Sequence, residues 1–450
     1  MKKILIISYY YAPANMMGAV RATKLSKYLQ RRGYEVDVIC SEKNNLMYIP
    51  GNILSDEKLA FDTEKVNKIV VKHSKLYSYL ALFIKRILTK KEKDKDINNT
   101  VLKKDNRVDV KIRKKNTLKK IIHFFSYCMS VLQDIDFYFQ AKKVSCKDIS
   151  NYSVVISTYG PTGSHFVGAG IKKINPKTLW IADFRDPIAQ PSNGRLEFIL
   201  NKGVEKYVIK KSDIITAVSK GYLAEILKET HKRSYVITNG YDRDDIKIES
   251  QKLIKNKLSF VYTGTTYAGK RDLGPIFNAI RELINENKID VEKIEFLYAG
   301  PEENIIYDIG IKTNLLEIIK SYGLVSRTES LNIQNSSDIL CVATWNVKGH
   351  TGVLPGKFLE YLYFNKPIIS IVTGEVGNSE ISNIIEKDNL GFAFEAVKED
   401  IDFINLKKYI LACYQTKIIT QNELKLAPNN SINKYNYEKI TDDFIRIMED

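Results

Sequence analysis

Short apolar runs that end in polar loops recur along this chain, and several of them precede a segment with helical periodicity. Residues 3–8 form the first run, residues 21–32 carry apolar side chains at helical spacing, and residues 35–40 alternate as a strand does. A strand–helix–strand unit of this kind builds parallel sheets that helices cover on both faces. We therefore predict an α/β chain of the doubly wound type.

The pattern continues in two blocks separated by a polar stretch at 241–257. Further strands are predicted at 153–157, 178–182, 213–218, 235–238, 259–263, 294–299, 338–343 and 367–371. A chain of 450 residues exceeds one ordinary core. We predict one Rossmann-like domain over 1–240 with an insertion at about 48–150, a second over 241–430, and a C-terminal helix over 431–450.

Composition narrows the classes of protein to consider. Hydrophobic residues make up 44% of the chain, which is enough to fill two cores and argues against overall disorder. The five cysteines lie far apart without a CxxC pair, so a reducing cytoplasm is expected. The amino terminus has only four apolar residues before Ser8, which favours a buried strand over a signal peptide.

The insertion carries much of the net charge of +16 around two short apolar stretches, 76–84 and 121–132. Neither stretch approaches the roughly 20 apolar residues that span a bilayer. Basic clusters flank them at Lys85-Arg86, Lys90-Lys91, Lys103-Lys104, Arg113-Lys114-Lys115 and Lys119-Lys120. The combination indicates an anionic membrane surface or an anionic ligand, and the alternative is a solvated lysine-rich insertion.

Residues 351–362 carry the strongest chemical signal. Gly352 and Gly356 allow the backbone to approach a ligand closely, and a helix that begins near Lys357 points free N–H groups at a phosphate. Lys357 adds a positive charge, and Glu360 can accept hydrogen bonds from ribose hydroxyls. The alternative is an ordinary loop and helix with an exposed Glu360.

This segment resembles the donor motif of family 4-like retaining glycosyltransferases of the bacterial surface-polysaccharide type, which reads roughly PxKxxEYxxxGKPI. The matching residues are Gly356-Lys357-Phe358-Leu359-Glu360-Tyr361-Leu362 and Asn365-Lys366-Pro367-Ile368-Ile369. Residues 9–36 are similar to the family's opening, YPPxxGGxxR…L…L…GHEV, and shorter similarities lie at 183–187, 236–242 and 262–264. The resemblance covers nearly the whole chain except 48–150.

The resemblance implies a GT-B fold, in which two Rossmann-like domains face each other across a cleft and the second holds a nucleotide-diphosphate sugar. In the family, the carboxylate that matches Glu360 binds ribose, and basic residues after the second domain's first strand neutralise the diphosphate. Here that loop is residues 265–272, and it contains Lys270 and Arg271. We favour Arg271, because its guanidinium can grip phosphate bidentately.

The sequence departs from the family at Gly352, where many members carry a glutamate. Backbone N–H groups of residues 351–354 are the candidates to replace the missing side chain. The donor-binding residues expected from the resemblance are Gly18, Gly264, Lys270, Arg271, Gly352, Gly356, Lys357 and Glu360.

In the first domain, residues 157–165 resemble a family loop that reads roughly SxPPxSxH. His165 opens a predicted helix there and is a candidate to contact the transferred sugar or position the acceptor, whereas a structural histidine is the alternative. Asp183, Arg185 and Asp186 form the next charged loop, on the acceptor side. They pair with one another, orient His165 or meet the acceptor.

The function implied is transfer of a sugar from a nucleotide sugar to a glycan or lipid-linked acceptor in cell-surface polysaccharide synthesis, with retention of configuration. The candidate catalytic residues are His165, Arg271 and Lys357. We expect no metal or cofactor. Residues 242–244 resemble the DxD metal-binding motif, but they lie in the predicted linker and are interpreted as solvated. The enzyme, hexosyltransferase-like, is expected in the cytoplasm, peripheral to the inner face of the cell membrane.

Two other functions compete with this one. A nucleotide-sugar epimerase shares the fold class and binds the same diphosphate. The non-enzymatic alternative is a basic membrane or nucleic-acid binder, suggested by the net charge. Because that charge clusters in the region without family resemblance, we expect no nucleic-acid partner.

Overall fold

The computed structural model describes residues 3–14, 16–42, 55–84, 109–145, 151–190, 194–228, 231–245, 256–427 and 429–450. For residues 17, 109–122 and 145 it describes the backbone alone. The chain divides into two compact units, 1–215 and 216–450. The domain limits predicted at 240/241 and 430/431 stay predictions.

The first sheet has seven strands in the order β3-β2-β1-β4-β5-β6-β7. Its strands are β1 (Lys3–Ile7), β2 (Glu35–Ser41), β3 (Asn67–Val71), β4 (Val154–Thr158), β5 (Leu179–Phe184), β6 (Ile214–Ala217) and β7 (Ser234–Val236). Strands β1 and β4 are parallel, with Ile4 opposite Val154. All five residues of β4 are buried, as expected of a central strand that other elements cover on both faces.

The second sheet has six strands in the order β10-β9-β8-β11-β12-β13. Its strands are β8 (Leu258–Thr263), β9 (Ile294–Ala299), β10 (Ile319–Ser321), β11 (Ile339–Trp345), β12 (Ile368–Thr373) and β13 (Gly391–Glu395). Strands β8 and β11 are parallel, with Phe260 opposite Ile339. Apolar clusters cover both faces of this sheet, including the Phe277 and Phe296 rings, whose centroids are 4.6 Å apart.

Helices fill most of the remaining described residues. They are α1 (Met17–Arg31), α2 (Glu57–Phe61), α3 (75–84), α4 (Asp109–Ser145), α5 (Gly163–Ile174), α6 (Arg195–Lys211), α7 (Lys220–Ile226), α8 (Gly274–Asn285), α9 (Glu303–Thr313), α10 (Arg327–Ser336), α11 (Gly356–Tyr361), α12 (Glu380–Lys387), α13 (Glu399–Tyr414) and α14 (Tyr437–Glu449). None of the helices in this described part of the chain is long and apolar enough to cross a bilayer.

The predicted α/β architecture of two parallel sheets is confirmed, and most predicted strands lie within two residues of the observed ones. Three strands were missed, namely β3, β10 and β13. Strand β3 lies inside the segment interpreted as a basic insertion, and β10 has only three residues. Strand β13 begins at Gly391, a residue type that is uncommon in strands.

Each sheet reverses its strand order once, between β1 and β4 in the first and between β8 and β11 in the second. At such a reversal the loops after the two adjacent strands diverge and leave a crevice at the carboxyl edge of the sheet, where doubly wound proteins bind ligands. The loops that follow β1, β4, β8 and β11 are therefore the places to look for a site.

Candidate functional site

The reversal in the second sheet brings together two loops that the sequence separates by about 80 residues. Gly264 follows β8 with a φ of +97°, and a Cβ there would lie 3.3 Å from the Nζ of Lys357, which follows β11. Glycine at 264 thus leaves room for the ammonium group. Of the predicted donor residues, the structure gathers Gly264, Arg271, Lys357 and Glu360 in this region.

Lys357 holds a buried ammonium group without a counter-ion. Its Nζ lies 3.7 Å from the centre of the Tyr262 ring and has no hydrogen-bond partner among the described residues. Burial and the nearby Arg271 cation lower the pKa of Lys357 well below its usual range, while Glu360 acts in the opposite direction. A buried cation that lacks an anion is costly, and an anionic ligand would relieve that cost.

Arg271 lies beside Lys357 and is held by aromatic rings. Its guanidinium carbon is 4.4 Å from the centre of the Tyr267 ring and 5.5 Å from that of Trp345. The buried Nε has no hydrogen-bond partner within the described part of the chain. Lys270 is exposed. Arg271 is therefore the residue of the two that lies beside Lys357, and its role as a phosphate ligand stays a prediction.

The loop that carries Arg271 is folded around a carboxylate that the sequence did not single out. Glu302 accepts hydrogen bonds from the backbone N–H groups of Thr266, Tyr267 and Ala268 at 2.5, 3.1 and 2.9 Å. Burial opposes ionisation of Glu302, but these donors hold its pKa below the usual value. Because these N–H groups already donate to Glu302, an anion near this loop would be bound by side chains.

Helix α11, which the sequence predicted to begin near Lys357, is short. It spans six residues, from Gly356 to Tyr361, and continues as one 3₁₀ turn. So short a helix has few aligned peptide dipoles, and its contribution to phosphate binding is small. The attraction for an anion therefore comes mainly from the charges of Lys357 and Arg271.

Glu360 is oriented by an arginine from α10. The Nη2 of Arg327 donates to Oε1 of Glu360 at 2.8 Å, and the Nη1 lies 2.9 Å from Oδ2 of Asp245. The Oε2 of Glu360 has no hydrogen-bond partner among the described residues. Arg327 thus fixes one carboxylate oxygen and leaves the other able to accept hydrogen bonds from a ligand.

Gly352, where the sequence departs from the family that it resembles, is sterically closed to a side chain. Its φ is +74°, and a Cβ there would lie 2.7 Å from both the Oγ of Ser219 and the Cα of Gly221. The loop is therefore built for glycine. Gly356 is the first residue of α11 and directly precedes Lys357.

In the first unit, His165 is completely buried in the first turn of α5. Its Nδ1 lies 2.8 Å from the Oγ of Ser157, and its Nε2 has no hydrogen-bond partner in the described chain. Burial and the Arg185 cation lower the pKa of His165 to about 3, although Asp183 acts against them, so the ring is neutral. The Tyr159 ring stacks on it at 6.1 Å.

At the end of β5, Asp183 and Arg185 contact partners outside the charged loop, and the alternative roles given for Asp183, Arg185 and Asp186 stay predictions. Asp183 accepts two hydrogen bonds of 2.8 Å from Arg21 on α1, with both side chains buried. Arg185 instead donates to the carbonyl oxygens of Tyr159 and Gly160 at 2.7 and 3.2 Å.

The position of the Arg185 guanidinium also explains why residues 18 and 160 are glycines. A Cβ at Gly18 would lie 2.8 Å from its Nη1, and a Cβ at Gly160 would lie 2.2 Å from its Nη2. Gly18, predicted as a donor residue, is thus in the first unit beside Arg185. Asp186 follows Arg185 in the same loop. Burial lowers the pKa of the Arg185 guanidinium, and the charge of Asp186 opposes this effect without reversing it.

Asp134 on α4 is a buried carboxylate that the sequence analysis missed. Its Oδ1 accepts a hydrogen bond of 2.6 Å from the backbone N–H of Gly163, at the start of α5. Burial raises the pKa of Asp134 to about 7, against the effect of that hydrogen bond. The segment predicted as an insertion therefore contributes a titratable group next to His165's helix.

The missed residues share one reason. Arg327, Glu302 and Asp134 belong to helices or helix starts remote in sequence from the motifs, and only the packing of those helices brings them to the loops.

Comparisons with known proteins give the fold. The chain matches no family model and no curated protein. Among solved structures, sucrose-phosphate synthase from Thermosynechococcus elongatus aligns over 100% of this chain and 98% of its own, with a TM-score of 0.62 and 12% identity. An E. coli structure described as trehalose-6-phosphate bound with UDP-2-fluoro glucose aligns over 100% and 99%, with a TM-score of 0.60 and 11% identity.

A UDP-N-acetylglucosamine 2-epimerase aligns over 99% of this chain and 94% of its own, with a TM-score of 0.50 and 10% identity. Identities this low show the fold alone. The fold is accordingly the GT-B fold with two Rossmann-like domains, as the sequence predicted.

Substitution of Gly352 tests the steric closure of its loop. We expect Gly352→Ala to lower the free energy of unfolding by about 3 kcal/mol or more, because the methyl group adds a clash to the strain of a positive φ. Gly269→Ala is the matched control: its φ is +84° but no atom lies within 4 Å of the added Cβ. It should cost only about 1–2 kcal/mol. Urea unfolding of both variants measures the difference, and equal costs would contradict the packing argument.

Asp134 predicts a pH dependence of stability. Because its folded pKa is raised to about 7, the unfolded chain releases this proton at lower pH, and the folded state loses stability as pH rises from about 4 to about 7. Asp134→Asn keeps the oxygen that accepts from Gly163 but cannot ionise. We expect the variant's stability relative to the natural protein to rise by about 1–3 kcal/mol between pH 5 and pH 8. Urea unfolding at both pH values checks this, and a constant difference would refute it.

Proposed function

We propose that the protein is a glycosyltransferase that takes a sugar from a nucleotide-diphosphate donor and passes it to a glycan or lipid-linked acceptor in cell-surface polysaccharide synthesis. The observation that carries the proposal is the pair of cations, Lys357 and Arg271, held without a counter-anion where the second sheet reverses its strand order. A diphosphate supplies the missing negative charge. Similarity to a structure described with bound UDP-2-fluoro glucose supports the choice of a nucleotide sugar.

The rest of the donor fits around these charges. Glu360 presents the free Oε2 to ribose hydroxyls, with Arg327 holding the other oxygen. The glycine at 264 keeps the path to the ammonium group of Lys357 open. Gly352 and Gly356 allow the backbone of residues 351–356 to approach the donor, with no further cofactor.

Catalysis rests on charge stabilisation at the leaving group. When the bond between the sugar carbon and the phosphate oxygen breaks, the nucleotide diphosphate takes the electron pair and the sugar ring becomes positive. The preplaced cations of Lys357 and Arg271 stabilise the leaving diphosphate, and such electrostatic effects usually dominate. His165 contacts the sugar or the acceptor. Retention of configuration follows from the family resemblance alone, and no side chain is assigned as a covalent nucleophile.

A nucleotide-sugar epimerase is the second candidate, since one such enzyme shares the fold. The two activities differ in their dependence on an acceptor. Incubation with UDP-glucose and UDP-N-acetylglucosamine, with and without a membrane glycolipid extract, distinguishes them. Release of UDP that requires the extract identifies a transferase, whereas conversion of the donor to an isomer without the extract identifies an epimerase.

The surface of α3 and α4 supports a second element of the proposal, attachment to the cytoplasmic face of an anionic membrane. The two helices pack through Tyr77, Ala81 and Met129. Their outer sides and the neighbouring α6 expose large apolar side chains, namely Leu76, Tyr79, Leu80, Leu82, Phe83, Phe124, Phe125, Leu132, Ile135, Phe139, Leu196, Ile199 and Leu200. So many exposed apolar side chains are unusual for a surface in water.

Basic residues would supplement this apolar surface. Residues 85–86, 90–91 and 103–104 lie outside the described residues, as do the side chains of Lys119 and Lys120. In the sequence they flank the exposed apolar segments, as in helices that lie in a membrane interface. A peripheral position would bring the enzyme close to a lipid-linked acceptor.

Donor binding gives a test with two probes. We expect Lys357→Met to weaken binding of both UDP and inorganic pyrophosphate by about 1–3 kcal/mol, roughly five- to 150-fold, because it removes a charge from the phosphate site. Glu360→Gln should weaken UDP by a similar factor but leave pyrophosphate unchanged, because pyrophosphate has no ribose. Isothermal titration calorimetry measures both affinities.

Lys270→Met is the matched control for the charge, since Lys270 is exposed in the loop that carries Arg271. It should change either affinity less than twofold. Unchanged affinities for both probes in Lys357→Met and in Glu360→Gln would remove this donor site.

Membrane attachment predicts co-sedimentation with vesicles. We expect the natural protein to pellet with vesicles of phosphatidylglycerol and phosphatidylcholine at low salt, less with phosphatidylcholine alone, and less as salt rises. Phe83→Glu with Leu76→Glu should abolish pelleting, because two charges replace exposed apolar side chains.

Ile401→Glu is the control on the second unit, where a similarly exposed apolar residue lies outside the proposed surface. Equal recovery of the natural protein in the supernatant with both lipid mixtures would exclude membrane attachment and leave the transferase proposal standing.

A further inference from the structure

Three buried side chains of the first unit form a chain of hydrogen bonds that ends at His165. The indole Nε1 of Trp180, on β5, lies 2.8 Å from the Oγ of Ser157, on β4. The same Oγ lies 2.8 Å from the Nδ1 of His165, on α5. All three residues are completely buried, so water does not compete for these bonds.

The direction of the chain follows from what each group can donate. An indole N–H only donates, so Ser157 accepts from Trp180. The hydroxyl hydrogen of Ser157 then needs an acceptor, and within the described residues its one available acceptor is the Nδ1 of His165. The opposite arrangement, in which Nδ1–H donates to Ser157, would leave the buried hydroxyl hydrogen without a partner, which is costly.

We propose that Trp180 and Ser157 are positioning residues that hold His165 as the neutral tautomer with its hydrogen on Nε2. His165 then acts on its ligand as a hydrogen-bond donor, and its Nε2 does not accept a proton from a hydroxyl group. The atom it meets is an oxygen lone pair, as on a sugar hydroxyl, a ring ether or a phosphate. This assignment of the ligand atom rests on the proposed function, whereas the tautomer does not.

Two further observations fit this arrangement. The Nε2 of His165 is buried and lacks a hydrogen-bond partner among the described residues, as expected of a donor kept for a ligand. Gly168 on α5 leaves room for the first bond of the chain, because a Cβ there would lie 2.5 Å from the Nε1 of Trp180 and 3.1 Å from the Oγ of Ser157. Even a methyl group at residue 168 would therefore push the indole away from the serine.

The ring is also held in orientation and charge. Tyr159 stacks on His165 with an angle of 18° between the rings, and the Phe184 ring centre lies 4.9 Å away. Burial is the largest influence on the pKa of His165, which is lowered to about 3, with Asp183 acting in the opposite direction and Arg185 in the same one. The His165 ring is therefore neutral near pH 7, and its hydrogen bond with Ser157 determines which of the two neutral tautomers forms.

Nitrogen NMR of the full chain, labelled with ¹⁵N in the histidine rings, reads the tautomer directly without any ligand. The chain has five histidines, and His165→Gln identifies the signal of His165 by its loss. Between pH 6 and pH 8 we expect Nε2 to show the shift of a protonated nitrogen and Nδ1 that of an unprotonated one. A hydrogen on Nδ1, or a doubly protonated ring in this range, would overturn the proposal.

Variants test the positioning role. Ser157→Ala, Trp180→Phe and Gly168→Ala should each lower the ratio of the Nε2–H to the Nδ1–H tautomer by roughly two- to tenfold, the effect of one hydrogen bond. Ser157→Thr keeps the hydroxyl and should preserve the ratio. Thr158→Val is the matched control on the same strand, since the Oγ1 of Thr158 has no hydrogen-bond partner in the described chain. An unchanged ratio in the first three variants would contradict the role of the chain.

Binding of UDP to the same variants separates this inference from the proposed function. The donor residues lie in the second unit, so Ser157→Ala should keep its affinity for UDP. Absence of UDP binding in the natural protein, together with the expected tautomer, would remove the donor and leave the hydrogen-bond chain intact. Binding of UDP together with the Nδ1–H tautomer would support the donor site and contradict the role of the hydrogen-bond chain.

Discussion

Two positive charges that lie near each other, with no counter-anion among the described residues, set the character of the second unit. Lys357 and Arg271 come from loops after different strands, and they meet only because β8 and β11 are neighbours in the sheet. Like charges so placed repel, and burial adds to the cost. Aromatic faces at Tyr262, Tyr267 and Trp345 reduce the cost without neutralising the charges. The carboxylate that could have neutralised them, on Glu360, is held by Arg327. An anionic ligand, as we propose, would therefore meet two cations that no carboxylate neutralises among the described residues.

The absence of a glutamate at Gly352 has a steric cause. A family member with glutamate there needs room for a side chain, and in this chain the position faces Ser219 and Gly221 at contact distance. Restoring the glutamate alone would strain the backbone and force the two segments apart. Under the proposed function, backbone N–H groups at this point would meet a sugar oxygen without selecting the sugar by charge, and sugar selectivity would depend on other parts of the site.

The sequence predicted the fold well because both of its signals are local. Buried strands appear in the sequence as apolar runs, so β8 and β11 were predicted. The loops after them carry the glycines and charges that match family motifs, so Lys357 and Glu360 were identified as candidates. Arg327, Glu302 and Asp134 were not, since their roles depend on which helix packs beside which loop. Asp183 shows the same limit in another form. Its charge was noted from sequence, but its partner Arg21, on α1, was found only when the structure placed that helix beside β5.

The first unit uses buried polar groups in a different way from the second. Asp183 is neutralised by Arg21 through two hydrogen bonds, so the pair stabilises the position of α1 and leaves no net charge. Arg185 lies across Gly18 and donates to backbone carbonyls, which fixes the loops after β1 and β4 relative to each other. His165 is neutral, and the Trp180–Ser157 chain orients it. Fixed cations attract a charged ligand, whereas neutral oriented donors recognise hydroxyl and ether oxygens. Under the proposed function we therefore assign the diphosphate to the cations of the second unit and uncharged sugar oxygens to the neutral donors of the first.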